Sequence, residues 1–229
     1  MTGQILLDFD GTIAIEDTTD LLLERFAEPG WRDIEAEWEA QLIGSRECMS
    51  RQVDLIRASA DEIEEFIAGI HIDPGFSRFV EACLAARFSV TVVSDGLDHI
   101  VRGVIGRTGI DLPIAANRLE HQGGDRWRLG FPFANGNCAS AAGNCKCAQG
   151  ASIGGPRIVV GDGRSDFCAA NGADYVYAKG RLQAHCRENG IAHAAISDLN
   201  DATRVFKAWR RRVEPLPSLA IAAADARID

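Results

Sequence analysis

The chain has 229 residues, 46% hydrophobic and 25% charged, enough for one large core or one core with a small accessory domain. Its formal net charge of -9 excludes a general affinity for nucleic acid, which needs a basic footprint. No apolar stretch approaches the roughly 20 residues that cross a bilayer, and Met1-Thr2-Gly3-Gln4 lacks the basic and apolar segments of a signal peptide.

In chain order, Ile5-Leu6-Leu7 predicts a short buried strand that ends on Asp8-Phe9-Asp10-Gly11-Thr12. Carboxylates two positions apart leave a strand end toward different sides, so one can attack or bind metal while the other moves protons. Residues 17–70 read as helical. Asp17-Thr18-Thr19-Asp20 is an N-cap cluster before Leu21, Leu22, Leu23 and Phe26, and Pro29-Gly30 breaks that helix. Trp31, Ile34, Trp38 and Leu42 recur at helical spacing up to Gly44-Ser45. A third helix carries Cys48, Val53, Leu55 and Ile56, and a fourth, Asp61 to Ile70, aligns Ile63, Phe66 and Ile67. This helical insertion follows the acidic strand directly, where a lid over its carboxyl end would stand.

From Pro74 the pattern alternates between helix and strand. Phe76 to Arg87 is amphipathic, with Phe79, Val80, Cys83 and Leu84 inward, and Phe88 to Val93 is an apolar strand ending at Ser94-Asp95-Gly96. Leu97 to Thr108 reads as helix, Leu112 to Asn117 as strand, and Arg118 to Phe131 as a hairpin with Gly123-Gly124-Asp125 at its tip. Residues 134–155 read mainly as loop. Arg157 to Val160 is a buried strand ending at Gly161-Asp162-Gly163-Arg164-Ser165-Asp166, followed by a helix, strand Tyr175 to Ala178, helix Arg181 to Asn189, strand Ala192 to Ile196 and helix Asp198 to Arg212. The expected fold class is α/β, a doubly wound parallel sheet. A core of residues 1–16 and 71–213 is expected, with a cap of residues 17–70 and a loosely attached tail, residues 214–229.

Three strands end on Asp8/Asp10, Ser94 and Asp162, at the sheet edge where such folds bind ligands. Asp8, Asp10, Asp162 and Asp166 in one crevice would repel one another unless a cation neutralised them, and an all-oxygen set suits Mg²⁺. The chain has three lysines, Lys146, Lys179 and Lys207, and Lys146 alone lies between the second and third strand ends. The seven cysteines read as mostly reduced thiols of a cytoplasmic protein.

Taken in order, Asp8-Phe9-Asp10-Gly11-Thr12, Ser94-Asp95-Gly96, Lys146 and Gly161 to Asp166 resemble the four motifs of the haloacid dehalogenase superfamily. The resemblance implies that Asp8 is a nucleophile forming an aspartyl-phosphate and that Asp10 protonates the leaving oxygen and then activates water. It implies that Thr12 and Ser94, with the turn at Asp95 and Gly96, hold the phosphoryl group, while Lys146 steadies Asp8. Asp8, the carbonyl of Asp10, Asp162 and Asp166 are the implied Mg²⁺ set. Asp10 separates this pattern from the dehalogenases, which have one acid in the first motif, and no lysine precedes Lys146 to serve phosphonatase chemistry. A phosphatase of a small phosphorylated metabolite is expected, acting as monomer or homodimer. Phosphoserine phosphatase, a mutase and a non-catalytic phosphate-binding protein are the alternatives.

The helical insertion is similar to the cap of the phosphoserine phosphatase-like subgroup, with Asp17 and Arg51 near the places of its substrate-reading Glu and Arg. Phe131-Pro132, Cys138 and Cys145-Lys146-Cys147 resemble the cysteine-bearing stretch of the methionine-salvage phosphatases, which implies 2-hydroxy-3-keto-5-methylthiopentenyl-1-phosphate as a substrate. Zinc binding, a disulfide and plain loop thiols all stay open for these cysteines.

Overall fold

The computed structural model describes residues 2–138, 140–149 and 154–213; the expected tail from residue 214 lies outside them. Its described strands form one sheet in the order β4-β3-β2-β1-β5-β6-β7. These are β1 (Gly3–Leu7), β2 (Phe88–Leu97), β3 (Ile114–Gly123), β4 (Arg126–Gly130), β5 (Arg157–Gly161), β6 (Tyr175–Ala178) and β7 (His193–Ala195). All neighbours pair in parallel except β3 and β4, the predicted hairpin. Gly123 and Gly124 take positive φ at its tip.

Ile5, Leu6 and Leu7 are fully buried, and alternation along the strand sends them to two separate apolar clusters. Ile5 and Leu7 join the cluster containing Phe79, Val104 and Phe206, from α5 (Phe76–Ala85), α6 (Asp98–Gly106) and α9 (Leu199–Val213). Leu6 joins Ala169, Leu182 and Cys186, from α7 (Phe167–Asn171) and α8 (Gly180–Glu188). A strand covered on both faces reads as an unbroken apolar run, and each such side chain contributes on the order of 1.5–3 kcal/mol.

Four helices lie between β1 and α5: α1 (Thr18–Phe26), α2 (Trp31–Glu39), α3 (Ser45–Val53) and α4 (Ala60–Gly69). Asp17 caps α1 by accepting from the Thr19 and Asp20 N–H groups at 3.0 Å each. Ser59 and Glu62 form a capping box on α4. Three expectations are corrected here. The second helix ends at Glu39 because Gln41 takes φ 61, leaving Leu42 outside it and 74% exposed. Leu55 and Ile56 follow α3 rather than belonging to it, and Ile56 bridges to Ala27. Leu84 points outward from α5, half exposed.

The hairpin also reaches the helical insertion. The Trp127 indole N–H donates to the Ala58 carbonyl at 2.8 Å, and the Ala58 N–H donates to the Asp125 carbonyl at 3.2 Å. Among the described residues, no helix is long and apolar enough to cross a membrane.

Candidate active site

The three strands whose ends carry the candidate residues, β2, β1 and β5, are immediate neighbours in the sheet. Asp8 and Asp10 follow β1, and Asp162 follows β5. Ser94, Asp95 and Gly96 lie within β2 rather than beyond it, since the strand runs on to Leu97. Between Val93↔Ala115 and Leu97↔Asn117, four residues of β2 advance against two of β3. The surplus residues bulge out of the ladder, and Ser94 within them comes against Asp10.

Asp8 is buried, and the Lys146 ammonium donates to its Oδ1 at 2.5 Å. The same Nζ donates to Asp166 Oδ1 at 2.7 Å and to the Ser165 hydroxyl at 2.9 Å. Asp166 Oδ2 accepts the N–H groups of Asp162 and Gly163, both at 3.2 Å, which fixes the loop after β5. Burial opposes the Lys146 charge, yet Asp166 and Asp8 hold the ammonium above the ordinary lysine range. Burial, with Asp166 and Asp162 close by, raises Asp8 well above the usual carboxylate range even with Lys146 beside it. Asp162 is raised for the same reasons, burial first and Asp166 second.

One ligand atom from each of Asp8, Asp162 and Asp166 can lie within 4.8 Å of the others. Three carboxylates around the buried Lys146 ammonium, with Lys179 acting on Asp162 from farther off, leave an excess of negative charge that a hard divalent cation would balance. The donors are all oxygen, so the set fits Mg²⁺ and not a thiolate-seeking metal.

Asp10 stands on the other side of the crevice. Its Oδ1 accepts the Thr18 N–H at 2.9 Å and the Thr18 hydroxyl at 2.6 Å, and Ser94 Oγ lies 3.2 Å from its Oδ2. Burial, then the charge of Asp17, pushes the Asp10 carboxyl up to about 7, against the hydrogen bonds from Thr18. That value suits a group that gives and takes a proton near neutrality. Gly11 has φ +65, and a Cβ there would lie 2.5 Å from Asp162 Oδ2. A Cβ on Gly96 would lie 2.6 Å from Asp10 Oδ2. Only glycine lets these two loops close on the carboxylates.

A cavity of roughly 530 Å³ opens above these groups, between the strand ends and α1–α3. Asp8, Asp10, Asp17, Asp95, Gly96 and Asp162 line it, while Ser94, Lys146 and Asp166 are buried behind that wall. Three predicted substrate contacts, Ser94, Thr12 and Arg51, are not in the lining. Thr12 is buried with no hydrogen-bond partner for its hydroxyl, because the turn whose N–H groups converge on the Phe9 carbonyl folds it inward. Arg51 is held by Glu37 through two hydrogen bonds of 2.6 and 3.0 Å and pairs with Glu47. The Asp95 carboxylate is also committed, accepting from Ser45 Oγ at 2.7 Å, the Asn144 N–H at 2.8 Å and Asn117 Nδ2 at 3.3 Å. It ties α3 to the sheet.

Sequence reasoning passed over several participants. Thr18, adjacent to the predicted capping residue, orients Asp10. Asn144, two residues before Lys146, donates its side-chain amide to the Ser94 and Ala115 carbonyls at 2.9 and 2.6 Å. Arg164 and Trp38 both line the cavity, and the Arg164 guanidinium carbon lies 4.9 Å from the Trp38 ring centre. Glu35 and Gln52, hydrogen-bonded at 2.8 Å, form part of the helical wall. None of these pairs has a local spacing that the sequence displays.

A parallel sheet with an acidic crevice at β1 and β5, served by one buried lysine, is the architecture of a phosphoryl-transfer hydrolase. A family model for haloacid dehalogenase-like hydrolase matches residues 5–171, and the chain belongs to that family. Among its relatives is 2-hydroxy-3-keto-5-methylthiopentenyl-1-phosphate phosphatase of Exiguobacterium sp. It is 30% identical over 213 residues, covering 90% of this chain and 98% of the relative. The phosphatase of the same name from Geobacillus kaustophilus is 30% identical over 211 residues, covering 88% and 94%. In fold the chain is similar to a substrate-bound phosphoserine phosphatase, with a TM-score of 0.64 at 21% identity over 91% of this chain and 98% of that one.

Proposed function

We propose that this protein is a Mg²⁺-dependent phosphomonoester hydrolase working through an aspartyl-phosphate on Asp8, with 2-hydroxy-3-keto-5-methylthiopentenyl-1-phosphate as its substrate. The observation that carries the reading is the buried Asp8–Lys146–Asp166 arrangement, with Asp10 held separately by Thr18. In the first step an Asp8 oxygen attacks phosphorus and the ester bond to the leaving oxygen breaks, while Asp10 delivers a proton to that oxygen. In the second, Asp10 takes a proton from water, which displaces Asp8 from phosphorus. Lys146 stays protonated throughout and fixes the attacking oxygen.

Asp8, Asp162 and Asp166 would hold Mg²⁺, with the Asp10 backbone carbonyl as a further donor. When bound, the ion supplies charge neutralisation for the phosphoryl oxygens. Helices α1–α4 are read as a cap that excludes water from the cavity and selects the leaving group. The choice of substrate follows the full-length relatives, and Trp38, Met49 and Cys48 give the cavity an apolar side suited to a thioether.

Purified protein is expected to hydrolyse an aryl phosphate with Mg²⁺ and to prefer the methylthiopentenyl phosphate over phosphoserine in a substrate panel. Asp8→Asn abolishes both activities. Turnover that survives EDTA together with Asp8→Asn removes the mechanism, and a preference for phosphoserine removes the substrate.

A further inference from the structure

The loop that delivers Lys146 is crowded with sulfur. Cys145 is buried and Cys147 exposed, yet their Sγ atoms lie 3.1 Å apart, on either side of the lysine in sequence. Lys146–Ala148 forms a single helical turn with Cys145 at its start, and the Lys146 side chain runs inward from it to Asp8. Two more thiols extend the row. Cys138 neighbours Cys145, and Cys168 at α7 neighbours Cys147.

These sulfurs form a line, not a cage. Among the described residues, the one trio of His, Cys, Asp or Glu ligand atoms mutually within 4.8 Å is Asp8, Asp162 and Asp166. A structural zinc site needs four ligands converging at about 2.3 Å on one point. Sulfurs in pairwise contact along a row are instead arranged for thiol–disulfide exchange.

We propose that Cys138, Cys145 and Cys147 form an oxidation site in which a Cys145–Cys147 disulfide locks the turn at Lys146 and reversibly disables the enzyme. The loss of activity rests on the role given to Lys146 above; the disulfide itself does not. Cys138 is the entry point. Burial works against its thiolate, but the Ser140 hydroxyl, 3.3 Å away, and the N–H groups of Ser140 and Ala142 hold the thiol below the ordinary cysteine range. Partial burial of its sulfur, with Cys145 and Cys168 alongside, pushes Cys147 up to about 12, so it reacts last.

The oxidant is a hydroperoxide. The Cys138 thiolate attacks its outer oxygen, the O–O bond breaks, and the departing alkoxide takes the proton that Cys138 gave up. The Cys145 thiol then displaces the hydroxyl of the resulting sulfenic acid as water, forming Cys138–Cys145. Cys147 attacks the Cys145 sulfur, and its proton passes to the released Cys138 thiolate. In sum, two thiols lose two electrons and two protons, and the peroxide becomes one alcohol and one water. Drawing the sulfurs from 3.1 Å to a bond of about 2.05 Å closes roughly 1 Å across Lys146, shared between the two side chains and the turn. A displacement approaching 1 Å at a catalytic group costs up to about 100-fold in rate.

The test uses the full chain and trypsin, which cuts after Lys146 and so parts the two cysteines. After mild hydrogen peroxide, the peptide Leu129–Lys146 should stay linked to Cys147–Arg157 without reductant and separate with dithiothreitol. Aryl phosphatase activity should fall at least 10-fold with the linkage and return with the reductant, while Cys147→Ser keeps its activity in peroxide. Linkage is read by mass and needs no turnover, so failure of the phosphatase reading leaves it measurable. No linkage in the wild-type chain, a link only to Cys168, stoichiometric zinc on the thiols, or linked protein at full activity would each overturn the proposal.

Discussion

The Arg164 guanidinium lies over the face of Trp38, 4.9 Å from the ring centre, joining the loop between Asp162 and Asp166 to α2. A cation–π contact at a partly solvated site is worth about 0.5–2 kcal/mol. It connects the carboxylate loop with the helices above the cavity. Arg164→Ala is expected to lower kcat/KM by roughly 3- to 30-fold, mostly through KM, and to raise acrylamide quenching of tryptophan fluorescence. In a Trp38→Phe background the second effect disappears. Unchanged KM and quenching in Arg164→Ala would show that the contact holds nothing in place.

Lys146 is the buried ammonium that pairs with both Asp8 and Asp166. Replacing it with Met leaves Asp8 and Asp166 buried without a counter-charge, a loss of about 3–5 kcal/mol. Lys146→Met should therefore lower Tm by roughly 6–20 °C and abolish turnover. Added Mg²⁺ should raise its Tm by more than it raises that of the wild type, since the variant's pocket is more negative. Equal Mg²⁺ stabilisation in the two proteins contradicts this charge count.

Asn144 donates to two buried carbonyls on different strands, and its own N–H donates to Asp95. Asn144→Ala strands both carbonyls, at about 1–3 kcal/mol each. The expected result is a Tm lower by roughly 5–15 °C, with kcat reduced more than KM is raised, because Ser94 and Lys146 lose their shared support. A thermal melt and a Michaelis–Menten curve decide it.

Asp20 lies among acids at the cavity wall. Burial, then Asp17 and Glu35, push its carboxyl up to about 6. The folded state thus favours the protonated form, so this stabilising contribution is full below the unfolded value near 4 and is lost as pH rises through 6. Because Asp20 is exposed and screened by solvent, Asp20→Asn should gain only roughly 1–3 °C in Tm at pH 7.5 and a smaller part of that at pH 4.5. A gain of equal size at both pH values assigns the effect to something other than charge.

Much of this architecture is legible from local pattern. Ile5-Leu6-Leu7 announces a strand covered on both faces, and the glycine-bearing acidic segments announce ligand-side loops. The helix start at Asp17 follows from capping chemistry. Residues whose work depends on long-range partners stay hidden. Arg51 resembles a substrate-binding arginine until Glu37, on a neighbouring helix, is seen to hold it. The Asp95 carboxylate looks free until Ser45 and Asn144 are seen to close on it from segments about 50 residues away. The bulge in β2 is invisible for a related reason: it is defined against β3, and nothing in Ser94-Asp95-Gly96 alone says how far the partner strand advances.

The hairpin contact at Ala58 bears on protein engineering. Helices α1–α4 look like a detachable module, cut cleanly from the chain between β1 and α5. Yet the Ala58 backbone is bonded at both its N–H and its carbonyl to the β3–β4 hairpin, on the far side of the sequence. A graft of residues 17–70 alone would leave the Ala58 N–H and carbonyl without their hairpin partners in the recipient. The unit that can be transplanted to change selectivity is therefore discontinuous, and a chimera has to carry residues 123–127 along with the helices they brace.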